Sequence, residues 1–371
     1  MSYLPKSVDV LVAGGGPAGL ASAIALRRHG LSVVVADGAV PPIDKTCGEG
    51  LMPDGVEALR ALGVTIPETQ ARAFRGIRFV NQKQRAEATF PAGTALGIRR
   101  IALHQTLADH AAAAGACLLW RAPVTGLHAE GALVGGELVR AGWVVGADGT
   151  ASRVRRWAHL DAHRRNQVRF AVRRHYRVAP WTDLVEVHWA RRCQFYLTPV
   201  GPAEVCVAMV SDNPKLRLDD ALAESGELWA RFGSAERTSS ERGAVTVSRQ
   251  LRRVCRGNVA LFGDASAGVD AITGEGLCLA FRQSALLAEC LASGDLARYQ
   301  AEHARLMRRP AFMARLMLFM ARHDRLRQRT MQVFESNPGS FAAMLSMHVG
   351  AGSASDYISS GISLGWQLLK A

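Results

Sequence analysis

The chain opens on a short apolar run, Val8, Val10, Leu11 and Val12, followed at once by clustered glycines and then by small and aliphatic residues as far as Gly30. An apolar run stopped by glycine predicts a buried strand, and the longer segment behind it a helix. Val33 to Val35 give a second buried strand, closed by Asp37. Asp54 to Leu62 predicts a helix with Asp54 as its N-cap, and Phe74 to Phe90 alternates loosely as a strand excursion. Arg99 to Leu107 returns to a helix with Leu103 and Leu107 inward. Two more apolar strands, Trp143 to Gly146 and Val259 to Phe262, each stop at a glycine–aspartate pair, Asp148-Gly149 and Gly263-Asp264. Ser152 caps a helix after the first pair, and a helix running to about Ala292 opens at Gly274-Glu275-Gly276-Leu277 after the second.

Between these anchors the period changes. Arg169 to Val178, Leu184 to Trp189, Cys193 to Val200 and Glu204 to Val210 alternate in the manner of strands, with Ala-Pro and Gly-Pro turn pairs between them. That pattern predicts an antiparallel sheet. From Tyr299 the chain is helical and rich in Met, Leu and Arg, broken at Pro310 and stopped at Asn337-Pro338-Gly339. Met307, Met313, Met317 and Met320 are expected to pack a domain junction, where a flexible thioether fills irregular gaps.

The glycines carry the chemistry. Gly14, Gly16 and Gly19, with Pro17 and Ala18 between them, stand on the G-x-G-x-x-G spacing between strand and helix. The first permits a tight turn, the second lets a pyrophosphate approach the backbone at a helix start, and the third lets helix and strand pack closely, a contact that Ala23 continues. Asp37, about 20 residues on, is placed to accept a ribose hydroxyl. The fold class that follows is α/β, with a doubly wound, Rossmann-like dinucleotide-binding domain that is discontinuous in sequence: 1–75, 98–160 and 250–298. A second, antiparallel-sheet domain takes 76–97 and 161–249, and a helical C-terminal region takes 299–371.

Composition narrows the partners. The net charge is +13, which would ordinarily favour polyanions or an acidic membrane surface. Of the 45 basic residues, however, only Lys6, Lys45, Lys83, Lys215 and Lys370 are lysine, and the arginines are dispersed rather than striped between stacking aromatics. Nucleic acid is therefore not expected, while peripheral membrane contact stays open. The seven cysteines are scattered, without a C-x-x-C pair, so free thiols and no metal are expected. With no leader before the first strand and no apolar run of membrane-spanning length, the expected location is the cytoplasm.

Taken together, Gly14 to Asp37, Gly146-Ala147-Asp148-Gly149 and Gly263-Asp264 resemble the FAD-dependent enzymes of the p-hydroxybenzoate hydroxylase type. That superfamily also holds geranylgeranyl reductases and flavin-dependent halogenases, and the resemblance spans roughly residues 8 to 292. It implies FAD, with Asp264 at the ribityl or pyrophosphate part, Arg100 nearby, Asp148-Gly149 supporting FAD, and NAD(P)H visiting as reductant. Lys45, Cys47 and Gly48 fall in a turn-rich loop along the same crevice, and the helix start at Gly274 to Leu277 would face the electron-rich end of the cofactor. The resemblance also implies a substrate pocket between sheet and cofactor, for which Arg173, His188 and Tyr196 are candidate polar groups and Cys47, His188 and Tyr196 candidate catalytic ones. The leading expectation is a monooxygenase acting on a hydrophobic aromatic or polyketide-like molecule. The alternative is reduction of a double bond in an isoprenoid or quinone side chain, which Cys47-Gly48 and the Thr273-Gly274-Glu275-Gly276 run favour. A halogenase, whose paired-tryptophan motif is missing, and a non-catalytic flavin protein complete the set. The oligomeric state is not legible.

Overall fold

The structure, a computed structural model, describes residues 4–352, with the backbone alone for 163–167. Its first sheet runs Cys255–Arg256, Val259–Leu261, Glu137–Gly146, Ser7–Ala13, Val33–Asp37 and Cys117–Trp120, with a hairpin of Val124–His128 and Gly131–Val134 beside the third strand. Apart from the edge strand Cys255–Arg256 and that hairpin, the pairs are parallel. The central stretches of this sheet, 10–13, 33–36, 144–146 and 259–261, are Val-rich and buried on both faces, as a parallel sheet covered by helices requires. Their register carries the main consequence for function. Ala13 pairs with Gly146, and Gly146 with Leu261, so the three glycine-bearing turns leave the sheet side by side at its carboxyl edge.

The helix Pro17–Arg28 lies between this sheet and the helix Gly276–Ala292. Its Gly and Ala content suits that double burial: Gly19, Ala21, Ala23 and Ala25 allow two close approaches at once. Arg100–Ala113 forms the expected helix with Leu103 and Leu107 buried, and Ser152 caps Arg153–Trp157 by accepting from the Arg155 N–H at 2.9 Å. The helix after the Cys47 loop is Pro53–Ala61, capped by Met52 with Pro53 at its first position. Asp54 therefore sits one residue inside the first turn, where its carboxylate pairs with Arg282 at 3.2 Å.

The second sheet runs Ala267–Gly268, Arg242–Leu251, His163–Tyr176, Glu204–Ser211, Cys193–Gly201, Leu184–Trp189, Gly76–Asn81 and Gln84–Thr89. It is antiparallel except where Leu184–Trp189 meets Gly76–Asn81 in parallel. The excursion expected between Phe74 and Phe90 is three strands rather than one, because the chain turns at Arg75 and again at Gln82, whose φ is 57°. Alternation gives this sheet two uses. Phe195, Leu197, Val205, Val207 and Met209 face a separate core with Leu218, Leu228 and Phe232, while Tyr196, Thr198, Ala208 and Val210 face a cavity.

Helices Leu296–Leu306, Arg308–Arg322, Asp324–Ser336 and Pro338–Val349 close the molecule. Pro310 does not break a helix; it stands in the first turn of one, where its missing N–H costs nothing. Asn337 does end a helix, and Pro338 begins the next. The last part of the expected helical region, 353–371, lies outside the described residues.

Candidate functional site

The three glycines of the first turn differ in what surrounds them. A Cβ on Gly14, whose φ is 113°, would stand 2.5 Å from the Ala147 carbonyl oxygen, and one on Gly19 would stand 1.9 Å from the Gly14 carbonyl oxygen. A Cβ on Gly16 would meet nothing within 4 Å. Gly14 and Gly19 are thus demanded by the fold, whereas the space over Gly16 belongs to the cavity that it lines. Gly15 was not singled out by spacing, yet a Cβ there would strike the Trp120 ring at 2.4 Å. Asp37 accepts from the Gly15 N–H at 2.7 Å and from the Ala39 N–H at 2.8 Å, so its carboxylate holds the turn itself. His104 donates from Nε2 to the Gly15 carbonyl at 2.9 Å. Burial pushes this imidazole below its ordinary value, against the pull of that carbonyl, and the ring stays neutral.

The next stretch of the crevice is charged. Arg100, Lys45, Gly149, Thr150 and Asp264 line it, beside Pro17 and Ala18. Arg100 leaves its Nε buried and unpartnered, a donor aimed at nothing in the protein. The Asp264 carboxyl opens onto the cavity but is ringed by protein; desolvation pushes it above the usual carboxylate range, and Arg100 and Lys45 oppose the shift. Gly263 carries the chain past Ala18 with φ 56°, and a Cβ there would lie 2.9 Å from the Ala18 methyl. Asp148 points away from the crevice: its Oδ2 accepts from the N–H groups of Arg153 at 2.6 Å and Val154 at 3.1 Å, tying down the helix start. Its neighbours Ala147, Gly149 and Thr150 are the ones that face the cavity.

Lys45 to Gly50 run along the same opening. Cys47 lines the cavity, and burial pushes its thiol up, opposed by Arg100 and Arg173, so it holds its proton at neutral pH. The loop is anchored from below. Thr198 donates to the Gly48 carbonyl at 2.7 Å, and the Glu49 N–H points to Cys47 Sγ at 3.3 Å. Glu49 adopts φ 59°, unusual for a residue with a side chain, and its buried carboxylate accepts from the Arg100 N–H at 2.9 Å and pairs with His175 Nε2 at 2.6 Å. Arg173, expected at the pocket, lies beneath the loop instead, paired with Asp44 and 3.1 Å from His175 Nδ1. Glu49, His175 and Cys206 have ligand atoms within 4.8 Å of one another. Arg173 already supplies a cation beside Glu49, at 3.9 Å, and the Glu49–His175 hydrogen bond occupies both partners.

Beyond the loop the cavity, about 370 Å³, becomes apolar. Phe79, Val187, Met313, Met317, Phe341 and Met344 are among its walls. Tyr196 reaches it, with its hydroxyl donating to the Ile272 carbonyl at 2.9 Å. His188 does not. Period-two alternation turns Val185 and Val187 to the cavity and His188 to the far face, where it pairs with Glu186 at 2.9 Å. Burial would raise Glu186, but His188 and Arg78 pull it down to about 2. Thr273, Gly274, Gly276 and Leu277 line the cavity, while Glu275 is buried behind them, 3.7 Å from His348 Nδ1. Asp270 fixes this loop by accepting from the Ile272 N–H and from buried Arg169, each at 3.0 Å. His348 and the methionine–phenylalanine wall were not legible as site residues, because only tertiary packing brings the tail to the crevice. The Arg169–Asp270 pair likewise joins residues far apart in sequence.

An open backbone over Gly16, an orphaned Arg100 donor and a basic flank at the carboxyl edge of a doubly wound sheet fit a dinucleotide whose pyrophosphate is anionic. The comparisons agree. A 321-residue match at 29% identity, covering 79% of this chain and 78% of the relative, is to the menaquinone reductase of Mycobacterium tuberculosis. The aurachin C monooxygenase/isomerase of Stigmatella aurantiaca is 26% identical over 80% of this chain and 85% of its own. The flavin-dependent brominase Bmp2 shares the fold with a TM-score of 0.81 at 20% identity, covering 98% of this chain and all of the other. Residues 7–306 match the model of the FAD binding domain family, and with its relatives named as reductases and monooxygenases this chain is a member of that family of flavin-dependent oxidoreductases.

Proposed function

We propose that the protein reduces a carbon–carbon double bond in a long apolar substrate of the prenylated-quinone type, with NAD(P)H as the source of electrons. The observation that carries this reading is the cavity: one end is charged and glycine-walled, and the other is walled mainly by Phe79, Val187, Met313, Met317, Phe341 and Met344. The similarity to a menaquinone reductase over most of both chains supports it. Bound at the glycine turn, FAD would relay electrons from the nicotinamide to the substrate. Gly16, Pro17, Lys45, Arg100, Gly149 and Asp264 would hold it. The walls contributed by the tail exclude water and align the chain. Cys47, protonated and on the cavity surface, would give its Sγ proton to one carbon of the double bond and regain a proton from solvent between turnovers, and Glu49, His175 and Thr198 fix the loop that carries it.

The balance shifts here from hydroxylation to reduction. Hydroxylation keeps one specific support, the similarity to a monooxygenase/isomerase over 85% of its length. Product analysis separates the two. Without oxygen, a prenylated quinone and NADPH should yield a product that stays heavier by two hydrogens after its ring is chemically reoxidised to the quinone, and Cys47→Ser should keep its FAD yet turn over ~10²-fold more slowly, the scale of a positioned proton-transfer group. A product carrying an added oxygen atom, formed only in air, would establish the second reading instead.

A further inference from the structure

The helix Arg308–Arg322 has two faces with different tasks. Met313 and Met317 point into the cavity, and Met320 is buried beside them. The opposite stripe reads Arg308, Phe312, Arg315, Phe319, Arg322, each exposed and each spaced by four or three residues, so all five lie along one line of the helix. Phe312 and Phe319 are 49% and 51% exposed, the two most exposed phenylalanines described. None of the three arginines has an ion-pair partner among the described residues, although nearby Arg305, Arg309 and Arg327 pair with Glu302, Asp54 and Asp324. The next helix adds exposed Arg325 and Arg329.

We propose that this stripe docks the protein on an anionic membrane surface. Aromatic rings flanked by unpaired arginines match the boundary between acyl chains and phosphates, where a ring enters the apolar layer and guanidinium groups meet phosphate oxygens. A helix of 15 residues lies on such a surface rather than crossing it, and no described helix is long and apolar enough to cross. Phenylalanine and arginine also build protein–protein contacts, so a protein occupant is what the test has to separate from lipid. The assignment does not depend on the reaction, since it is measured without substrate. It adds to it a physical link: the helix that touches lipid on one side walls the cavity on the other.

The test is co-sedimentation of the FAD-loaded protein with vesicles of phosphatidylcholine alone or with added phosphatidylglycerol. Binding is expected to the anionic vesicles, weakened by salt, and reduced ~10-fold or more in both Phe312→Ser/Phe319→Ser and Arg315→Glu/Arg322→Glu. Retained FAD absorbance and an unchanged melting temperature show that the variants are folded. Equal binding by wild type and variants, or no binding by wild type at low salt, would overturn the proposal. So would a wild-type dimer that the phenylalanine variant dissociates, which would make the stripe a contact between copies.

Discussion

Gly16 and Gly19 share one turn and fail in opposite ways when given a side chain. Over Gly16 there is room in the protein itself, so Gly16→Val is expected to purify folded, with a melting temperature near wild type, but colourless because its isopropyl group occupies the space for the pyrophosphate. Gly19→Val drives a methyl-bearing carbon into the Gly14 carbonyl, and is expected to lose about 3 kcal/mol or more of stability, with FAD lost as a consequence. Flavin absorbance read beside thermal unfolding distinguishes the two. Spacing alone made these glycines legible, because each is tied to a backbone geometry that sequence encodes locally. Asp37 was legible as a residue and not in its employment, since the Gly15 and Ala39 N–H groups that it accepts are set by how the turn closes. Cys47 was visible as an odd residue in a loop; the buried Glu49–His175 pair under it was not, because His175 arrives from a strand of the other sheet.

At the scale of elements, alternation predicted four strands of the second sheet closely and missed Arg242–Leu251, and it cannot say which of two faces meets a ligand. Tyr196 and His188 show the difference, one on the cavity and the other paired behind the sheet with Glu186. The helix Leu296–Leu306 offers a test of how elements are fastened. His303, buried on that helix, meets Ser266 Oγ at 2.9 Å just after the Gly263-Asp264 turn, and burial pushes its imidazole down to about 4. A histidine depressed in the folded state takes up its proton more readily when unfolded. Its contribution is therefore complete above pH 6.5, and is lost as the pH falls from there to about 4. The loss is on the order of 3 kcal/mol. Acid unfolding curves should accordingly be less steep across that window in His303→Gln, and an identical slope would remove His303 from the account.

For the whole molecule, the cavity is a joint product of two sheets and the C-terminal helices, and this is the part that sequence conveyed least. Periodicity gave the tail its helices and assigned its methionines to packing; Met313 and Met317 do pack, and they also wall the cavity. Filling that space should change what is accepted rather than whether FAD binds. Met317→Trp is expected to spare a short-chain quinone and raise KM for a long-chain one by ~10-fold or more, since one displaced apolar segment of several methylenes is worth over a kcal/mol. Equal effects on both chain lengths would place the substrate elsewhere.

The register that sets Ala13, Gly146 and Leu261 side by side also fixes a sequence of events during synthesis. The strand that bears the first glycine turn has no neighbour on one side until residue 137 onward has emerged, and the Gly263-Asp264 turn comes later still. Contacts so distant in the chain make closure slow, and they leave an apolar strand edge waiting for its partner. The cofactor cradle is complete only once the chain has been made as far as Asp264, about 250 residues beyond the first glycine turn. Over that stretch the nascent chain carries a half-built sheet with an open strand edge, and the flavin cradle closes only at its far end.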